Sequence, residues 1–141
     1  MSPKTDLERE RMNSIPYASA VGSIMYSMIC TRPDVAFALG AVSRYQSNYG
    51  EEHWKAVKTI LKYLRRTKDI VLICRSDELK IEEFTDSSFQ SDVDDSKSVS
   101  GYVFKINGCA VSWRSSKQAT VADSTMEAEY IAANDAAKEA V

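Results

Sequence analysis

The chain has 141 residues, 44% of them hydrophobic, and a net charge of −2 at neutral pH, which allows one domain, or one and a fraction, with a real core. A charge so close to zero does not announce a nucleic-acid binder. Three widely spaced cysteines (Cys30, Cys74, Cys109) and a single histidine, His53, exclude a zinc site, argue against a disulfide framework and point to a reduced, intracellular chain.

The first residues, through Arg11, have no apolar core and cannot form a signal peptide. Residues 1–16 are polar and expected to be flexible. Tyr17 to Ile29 reads as a helix of small residues, closed near Thr31-Arg32-Pro33. The apolar tract from Ala18 to Cys30 is broken by Ser19, Gly22, Ser23 and Ser27. It falls short of the ~20 residues that span a bilayer. Pro33 suits the first position of a second helix, Asp34 to about Ser47, with Val35, Leu39, Val42 and Tyr45 at helical spacing. Asn48-Tyr49-Gly50 ends it. A third helix is predicted from Glu51 to about Arg66, its stripe formed by Trp54, Val57, Ile60, Leu61 and Leu64. Acids stand at its start and bases at its end, as the helix dipole prefers. Lys58, Lys62 and Arg65 belong to a basic block on this helix that could contact a phosphate backbone, although a solvated face is the commoner use of such a block.

The period then changes. Ile70 to Cys74 and Leu79 to Thr85 read as strands joined by a polar turn, followed by a Ser/Asp-rich connection from Asp86 to Ser100. Asn107-Gly108 between two alternating runs predicts a two-residue hairpin. In the simplest register Ile106 faces Cys109, Phe104 faces Val111 and Tyr102 faces Trp113, all on one buried face. Arg114 to Ala122 is a loop in which Arg114 and Lys117 could also touch nucleic acid. Ser124 and Glu127 stand in capping-box spacing and start a last helix, which runs to the end of the chain. At ~100° per residue, Met126, Ala132, Ala133, Ala136, Ala137 and Ala140 gather on one side of that helix, with Glu129 in their midst. A carboxylate in an apolar stripe is costly unless it is paired or holds a metal. Glu127 falls on the polar side and serves the cap.

A strand ending in Thr85-Asp86, a hairpin, and a helix carrying Glu129 can together set two carboxylates over a phosphodiester. Carboxylate oxygens suit Mg²⁺, and paired ions ~3.5–4 Å apart activate water and stabilise the leaving oxygen. The motifs Tyr17-Ala18-Ser19-Ala20-Val21-Gly22, Cys30-Thr31-Arg32-Pro33-Asp34 and His53-Trp54-Lys55-Ala56-Val57 resemble the segment between reverse transcriptase and ribonuclease H in copia-type retrotransposon polyproteins. Phe84-Thr85-Asp86, Ser100-Gly101-Tyr102, Val111-Ser112-Trp113 and Ser124-Thr125-Met126-Glu127-Ala128-Glu129-Tyr130 resemble the ribonuclease H signatures that follow.

The resemblance implies an α+β fold, with a helical connection segment over residues 17–69 and the first half of a ribonuclease H-like mixed sheet over residues 70–141. It implies Asp86 and Glu129 as metal-binding catalytic carboxylates, Mg²⁺ as cofactor and an RNA–DNA hybrid as substrate. The family's third and fourth carboxylates lie beyond Val141, and Asp92, Asp94, Asp95, Asp123 and Asp135 are poor substitutes. The expectation is an incomplete set that binds metal weakly or not at all, no catalysis by this chain alone, no membrane contact, and self-association through an open sheet edge. Fragments of this kind are also found among proteins named secreted RxLR effectors. That leaves the alternative of a non-catalytic effector, secreted into host cells and binding host proteins. The closest approach to the motif is Lys62-Tyr63-Leu64-Arg65.

Overall fold

The structure, a computed structural model, describes residues 3, 5–74 and 79–141. The chain divides into two compact units, Met1–Val71 and Leu72–Val141. The first is helical and the second joins a sheet to a helix, so the α+β class is as expected.

The helical unit begins where loose chain was expected. Helix α1 (Asp6–Asn13) is nucleated by a capping box. Thr5 Oγ1 accepts the Glu8 N–H at 3.2 Å, and the Glu8 carboxylate accepts the Thr5 N–H at 3.4 Å. A capping box satisfies two orphan donors at once, which lets a very polar helix form. Met12, buried, anchors it. Helix α2 (Tyr17–Thr31) turns Tyr17, Val21 and Ile24 inward. Its polar interruptions are absorbed locally: the Ser23 and Ser27 hydroxyls donate to the carbonyls of Ser19 and Ser23.

Pro33 opens a single 3₁₀ turn, Pro33–Val35, before helix α3 (Ala36–Ser43). The second predicted helix is thus shorter than its periodicity implied. The chain tightens after Val42 into i→i+3 bonds, Tyr45 to Val42 and Asn48 to Tyr45. Helix α4 (Glu51–Arg66) has the predicted bounds. Its entry is closed by His53, whose Nδ1 accepts the Gly50 N–H at 3.0 Å and whose ring stacks on Tyr45. Val35, Leu39, Val42, Val57 and Ile60 complete a core around Tyr17, whose hydroxyl donates to the Val42 carbonyl at 2.8 Å.

Arg32 ties this unit together. It forms two bonds to Asp34, at 3.0 and 2.7 Å, and two to Thr67, at 3.1 Å to the carbonyl and 2.6 Å to the hydroxyl. The end of α2 is thereby fastened to the end of α4. The Asp34 carboxyl is held below its usual range, chiefly by its hydrogen bond from Arg32.

In the second unit, strands β1 (Ile81–Ser88), β2 (Val99–Ile106) and β3 (Cys109–Lys117) form one sheet in the order β1-β2-β3. Every described pairing is antiparallel rather than mixed. Ile70 to Cys74 makes no strand, and the polar turn expected after it lies outside the described residues. β1 runs on to Ser88, so Asp86 sits within the strand, opposite Gly101, instead of ending it.

The hairpin turn is as predicted, with Asn107 and Gly108 at φ 53° and 77°, and Ile106 faces Cys109. Beyond that pair the predicted register fails. A bulge between Phe104 and Lys105 sets Phe104 against Ser112, Val103 against Trp113 and Tyr102 against Arg114. One extra residue inverts the inward and outward alternation of a strand. Tyr102 and Phe104 therefore share a face with Ser112, while Trp113 and Val103 share the other with Phe84. Val111, predicted buried, is exposed.

Cys74 and Cys109 are joined in a disulfide, which corrects the expectation of a wholly reduced chain; Cys30 is free and exposed. The cause is spatial. The Lys80 carbonyl and N–H both bond to Asn107, so the residue before β1 lies beside the hairpin turn that leads into Cys109.

Helix α5 (Thr125–Glu139) packs on β1 and β2 through Ala128, Ala132 and Ala136, all buried. Glu129 is exposed and does not lie in the middle of the buried stripe. Met126, assigned to that stripe by periodicity, is 78% exposed. Three alanines four residues apart let the helix backbone approach the sheet closely, while Met126 and Tyr130 stay exposed. The helix stops at Glu139, short of the chain end.

Candidate functional site

The two candidate carboxylates come from the two elements that α5 packing brings together. Asp86 is held at its place in β1 by pairing with β2, and the neighbouring Thr85 hydroxyl donates to the Gly101 carbonyl at 3.2 Å. Glu129 stands in the first turns of α5. Its Oε1 accepts the backbone N–H of Ser87 at 3.3 Å, which sets it beside the strand one residue past Asp86. Both carboxylates are exposed.

The helix start follows the sequence with one shift. Ser124 Oγ accepts the Glu127 N–H at 3.1 Å, but the Glu127 carboxylate reaches the Asp123 N–H at 2.7 Å rather than that of Ser124. Glu127 is occupied in the cap, which leaves Glu129 for the site.

Three of the other acids are engaged elsewhere. Asp92 is buried and accepts the Asp94 N–H at 3.0 Å, and Lys117 Nζ lies 3.2 Å from it. Asp95 accepts from the same ammonium at 2.9 Å. Asp135 pairs with Lys138 at 3.4 Å. Among the described residues no group of three or more His, Cys, Asp or Glu side chains could hold a metal ion. The donor chemistry of Asp86 and Glu129 suits a hard cation such as Mg²⁺, but their number does not fit a two-ion site.

The basic residues fall into two sets. Lys58, Lys62 and Arg65 follow one line along α4 and are exposed, with Lys58 Nζ 6.0 Å from the centroid of the Trp54 ring. Arg114 and Lys117 lie on β3 in the other unit. Lys117 is bound to Asp95 and Asp92, and the hydrogen bond to Asp95 is the main reason its ammonium is held more strongly charged than usual. Arg114 is exposed beside Tyr102, whose hydroxyl burial pushes upward.

Sequence reasoning passed over Gln118. It is buried, and its Nε2 donates to Ser100 Oγ at 2.8 Å and to the Ala128 carbonyl at 2.9 Å. A lone glutamine in a loop carries no periodic signal that could have marked it.

The chain is 49% identical over its full length to the retrovirus-related Pol polyprotein from transposon TNT 1-94 of Nicotiana tabacum, of which it covers 11%. It is 35% identical over 81% of its length to the Pol polyprotein from transposon RE2 of Arabidopsis thaliana, of which it covers 8%. It is also 47% identical to a Plasmopara viticola protein named secreted RxLR effector protein 161, with 92% of each chain covered. No family model and no solved structure matches the chain. The chain spans about a tenth of the length of the transposon relatives, and the identities run through both of its units. Over its full length the chain is thus similar to a segment of the copia-type retrotransposon Pol polyproteins.

Proposed function

We propose that the second unit is the leading part of a ribonuclease H-like region, whose ancestral task is metal-dependent hydrolysis of RNA in RNA–DNA hybrids. One observation carries the reading: the Ser87 N–H to Glu129 bond, which sets the α5 carboxylate next to the β1 position of Asp86. A bound Mg²⁺ would supply water activation and charge neutralisation at the phosphate. Asp86 and Glu129 would be two of its oxygen ligands. Asp92 and Asp95 are paired with Lys117, Asp135 with Lys138, and Glu127 serves the α5 cap, and among the described residues no third ligand completes a metal-binding group, so this reading expects the 141 residues alone to be inactive and to hold metal weakly.

The test compares two polypeptides on a labelled RNA–DNA hybrid with Mg²⁺ or Mn²⁺. The 141-residue chain leaves the hybrid intact. A chain extended by the next segment of the tobacco relative cleaves it and loses activity on Asp86→Asn or Glu129→Gln. Cleavage by the short chain that vanishes in Asp86→Asn would overturn the inactivity. An inert extended chain would overturn the ribonuclease H reading. The same proposal expects self-association of the short chain through exposed apolar side chains such as Phe84 and Val111, read by light scattering against the extended chain.

A second reading rests on the Plasmopara relative, whose length matches that of this chain. Under it the chain acts in host cells by binding a host protein. The Lys62-Tyr63-Leu64-Arg65 segment lies inside α4, and no described helix is long and apolar enough to cross a membrane. Capture of a host protein by the intact chain, abolished by Lys58→Glu with Lys62→Glu, would favour this reading.

A further inference from the structure

We propose that Gln118 is a positioning residue for Glu129, the centre of a polar bracket that fixes the first turn of α5 against β1 and β2. The inference rests on the ribonuclease H reading for its purpose, but not for its test. Four contacts close a ring. The Gln118 amide nitrogen donates to the carbonyl of Ala128, the residue before Glu129, at 2.9 Å. It also donates to Ser100 Oγ at 2.8 Å. Ser100 is the β-sheet partner of Ser87. The Ser87 N–H donates to Glu129 Oε1 at 3.3 Å. The Gln118 backbone is itself pinned, since its N–H donates to the Ser98 carbonyl at 2.9 Å.

The chemistry selects a primary amide. Ala128 offers only an acceptor, so the group facing it must donate, and the hydroxyl of Ser100 takes the second amide hydrogen. A carboxylate at this position would set a charge against a carbonyl. The amide oxygen meanwhile is buried with no hydrogen-bond partner, as is the Ser87 hydroxyl oxygen. An orphaned buried acceptor is unfavourable. A glutamine kept for stability alone would be a poor choice here; its two donors, aimed at the peptide that precedes Glu129, are what the position uses. An apolar residue of the same length removes the orphan oxygen together with the donors. It should therefore disturb the placement of Glu129 more than it disturbs the fold.

The experiment uses the 141-residue chain and reads amide hydrogen exchange at Ser87 together with thermal unfolding. Gln118→Met is compared with Ser124→Ala, which weakens the α5 cap and leaves the bracket intact. The expected result is that Gln118→Met speeds Ser87 exchange by about tenfold relative to other β1 amides, with a small Tm change. Ser124→Ala lowers Tm and moves all β1 amides together. Ser100→Ala, a milder change, gives a smaller shift at Ser87 in the same direction and serves if Gln118→Met fails to fold. Unchanged relative protection of Ser87 in both Gln118→Met and Ser100→Ala overturns the proposal. Because exchange is read without nucleic acid or metal, an inert extended chain would sink the nuclease reading and leave this result standing.

Discussion

The backbone N–H of Ser87 donates to the carboxylate of Glu129 across 3.3 Å, joining strand β1 to helix α5 at the residue after Asp86. Glu127, two residues earlier on the same helix, instead turns back to the Asp123 N–H at 2.7 Å. Two neighbouring glutamates thus have separate roles, one in the cap and one at the candidate site.

The roles have different energetic consequences. Glu127→Ala removes a short cap bond and should cost about 1 kcal/mol. Glu129 is exposed and its bond is long, so Glu129→Ala should stay within about 0.5 kcal/mol of the parent. Urea titrations of both variants check this. Equal losses would mean that Glu129 shares the structural role of Glu127.

The cap at Ser124, the turn at Asn107-Gly108 and the bounds of α4 were legible because each rests on local chemistry. An N-cap needs one hydroxyl and a type I′ turn needs two residues tolerant of positive φ. The failures came where distant residues decide. Periodicity placed Glu129 within the buried stripe because a helical wheel does not know which side the sheet will take. Ala128, Ala132 and Ala136 took the contact, and Met126 was left outside. The bulge at Phe104/Lys105 has no marker such as an extra glycine, and the single-residue shift it imposes moved Val111 and Trp113 from their predicted partners. Asp86 was found by pattern and family resemblance together, whereas Gln118 was invisible until its two acceptors stood in place. The α1 capping box, Thr5 with Glu8, has the same local spacing as the one at Ser124, and the expectation of a flexible polar segment passed over it.

The hairpin supplies a sharper test of local coding. Gly108 holds φ 77°, and Asn107, at φ 53°, both donates to the Lys80 carbonyl and accepts the Lys80 N–H. Gly108→Ala should cost about 1–2 kcal/mol through the left-handed backbone alone, since nothing lies within 4 Å of a Cβ built there. Asn107→Gly keeps the turn and the backbone bond to the Lys80 carbonyl but leaves the Lys80 N–H without its side-chain acceptor, and should loosen Lys80 at the entry to β1. Amide exchange at Lys80 separates the two. An unchanged Lys80 amide in Asn107→Gly would show that the turn asparagine serves the turn only.

Arg32 is buried, and its side chain bonds to Asp34 and Thr67 from the end of α2. Arg32→Met leaves Asp34 with the Tyr63 hydroxyl but without its main partner, and should destabilise the helical unit by about 1–2 kcal/mol, less than a fully buried pair would lose because Asp34 keeps some contact with solvent. Arg32→Lys keeps the charge but cannot reproduce the forked geometry, so it should recover only part of the loss. Because Asp34 is held below its usual range, the pair contributes above the ordinary carboxylate pKa and is lost as the pH falls through the lowered one. Denaturant titrations near pH 7 and in the acid range should show the parent losing stability where Arg32→Met does not.

Tyr17 gives the alkaline counterpart. Its ring is 1% exposed and its hydroxyl donates to the Val42 carbonyl. Burial, reinforced by the nearby Tyr45 and Tyr49, pushes its pKa up to about 12 from an ordinary value near 10. Below the ordinary value both folded and unfolded chains carry a neutral phenol, and the stability is fully present. Between the two values the unfolded chain ionises while the folded one does not. Stability should therefore fall by about 1.4 kcal/mol per pH unit from this residue and be lost as the pH passes the folded value. Tyr17→Phe cannot ionise. It should begin about 1 kcal/mol less stable at neutral pH, through loss of the bond to Val42, and then decline more slowly with alkali. The measurement is a series of urea titrations from about pH 8 to about pH 11 on parent and variant. Parallel curves would mean that the Tyr17 phenol ionises as readily folded as unfolded, and that the helical core around Val42 admits water.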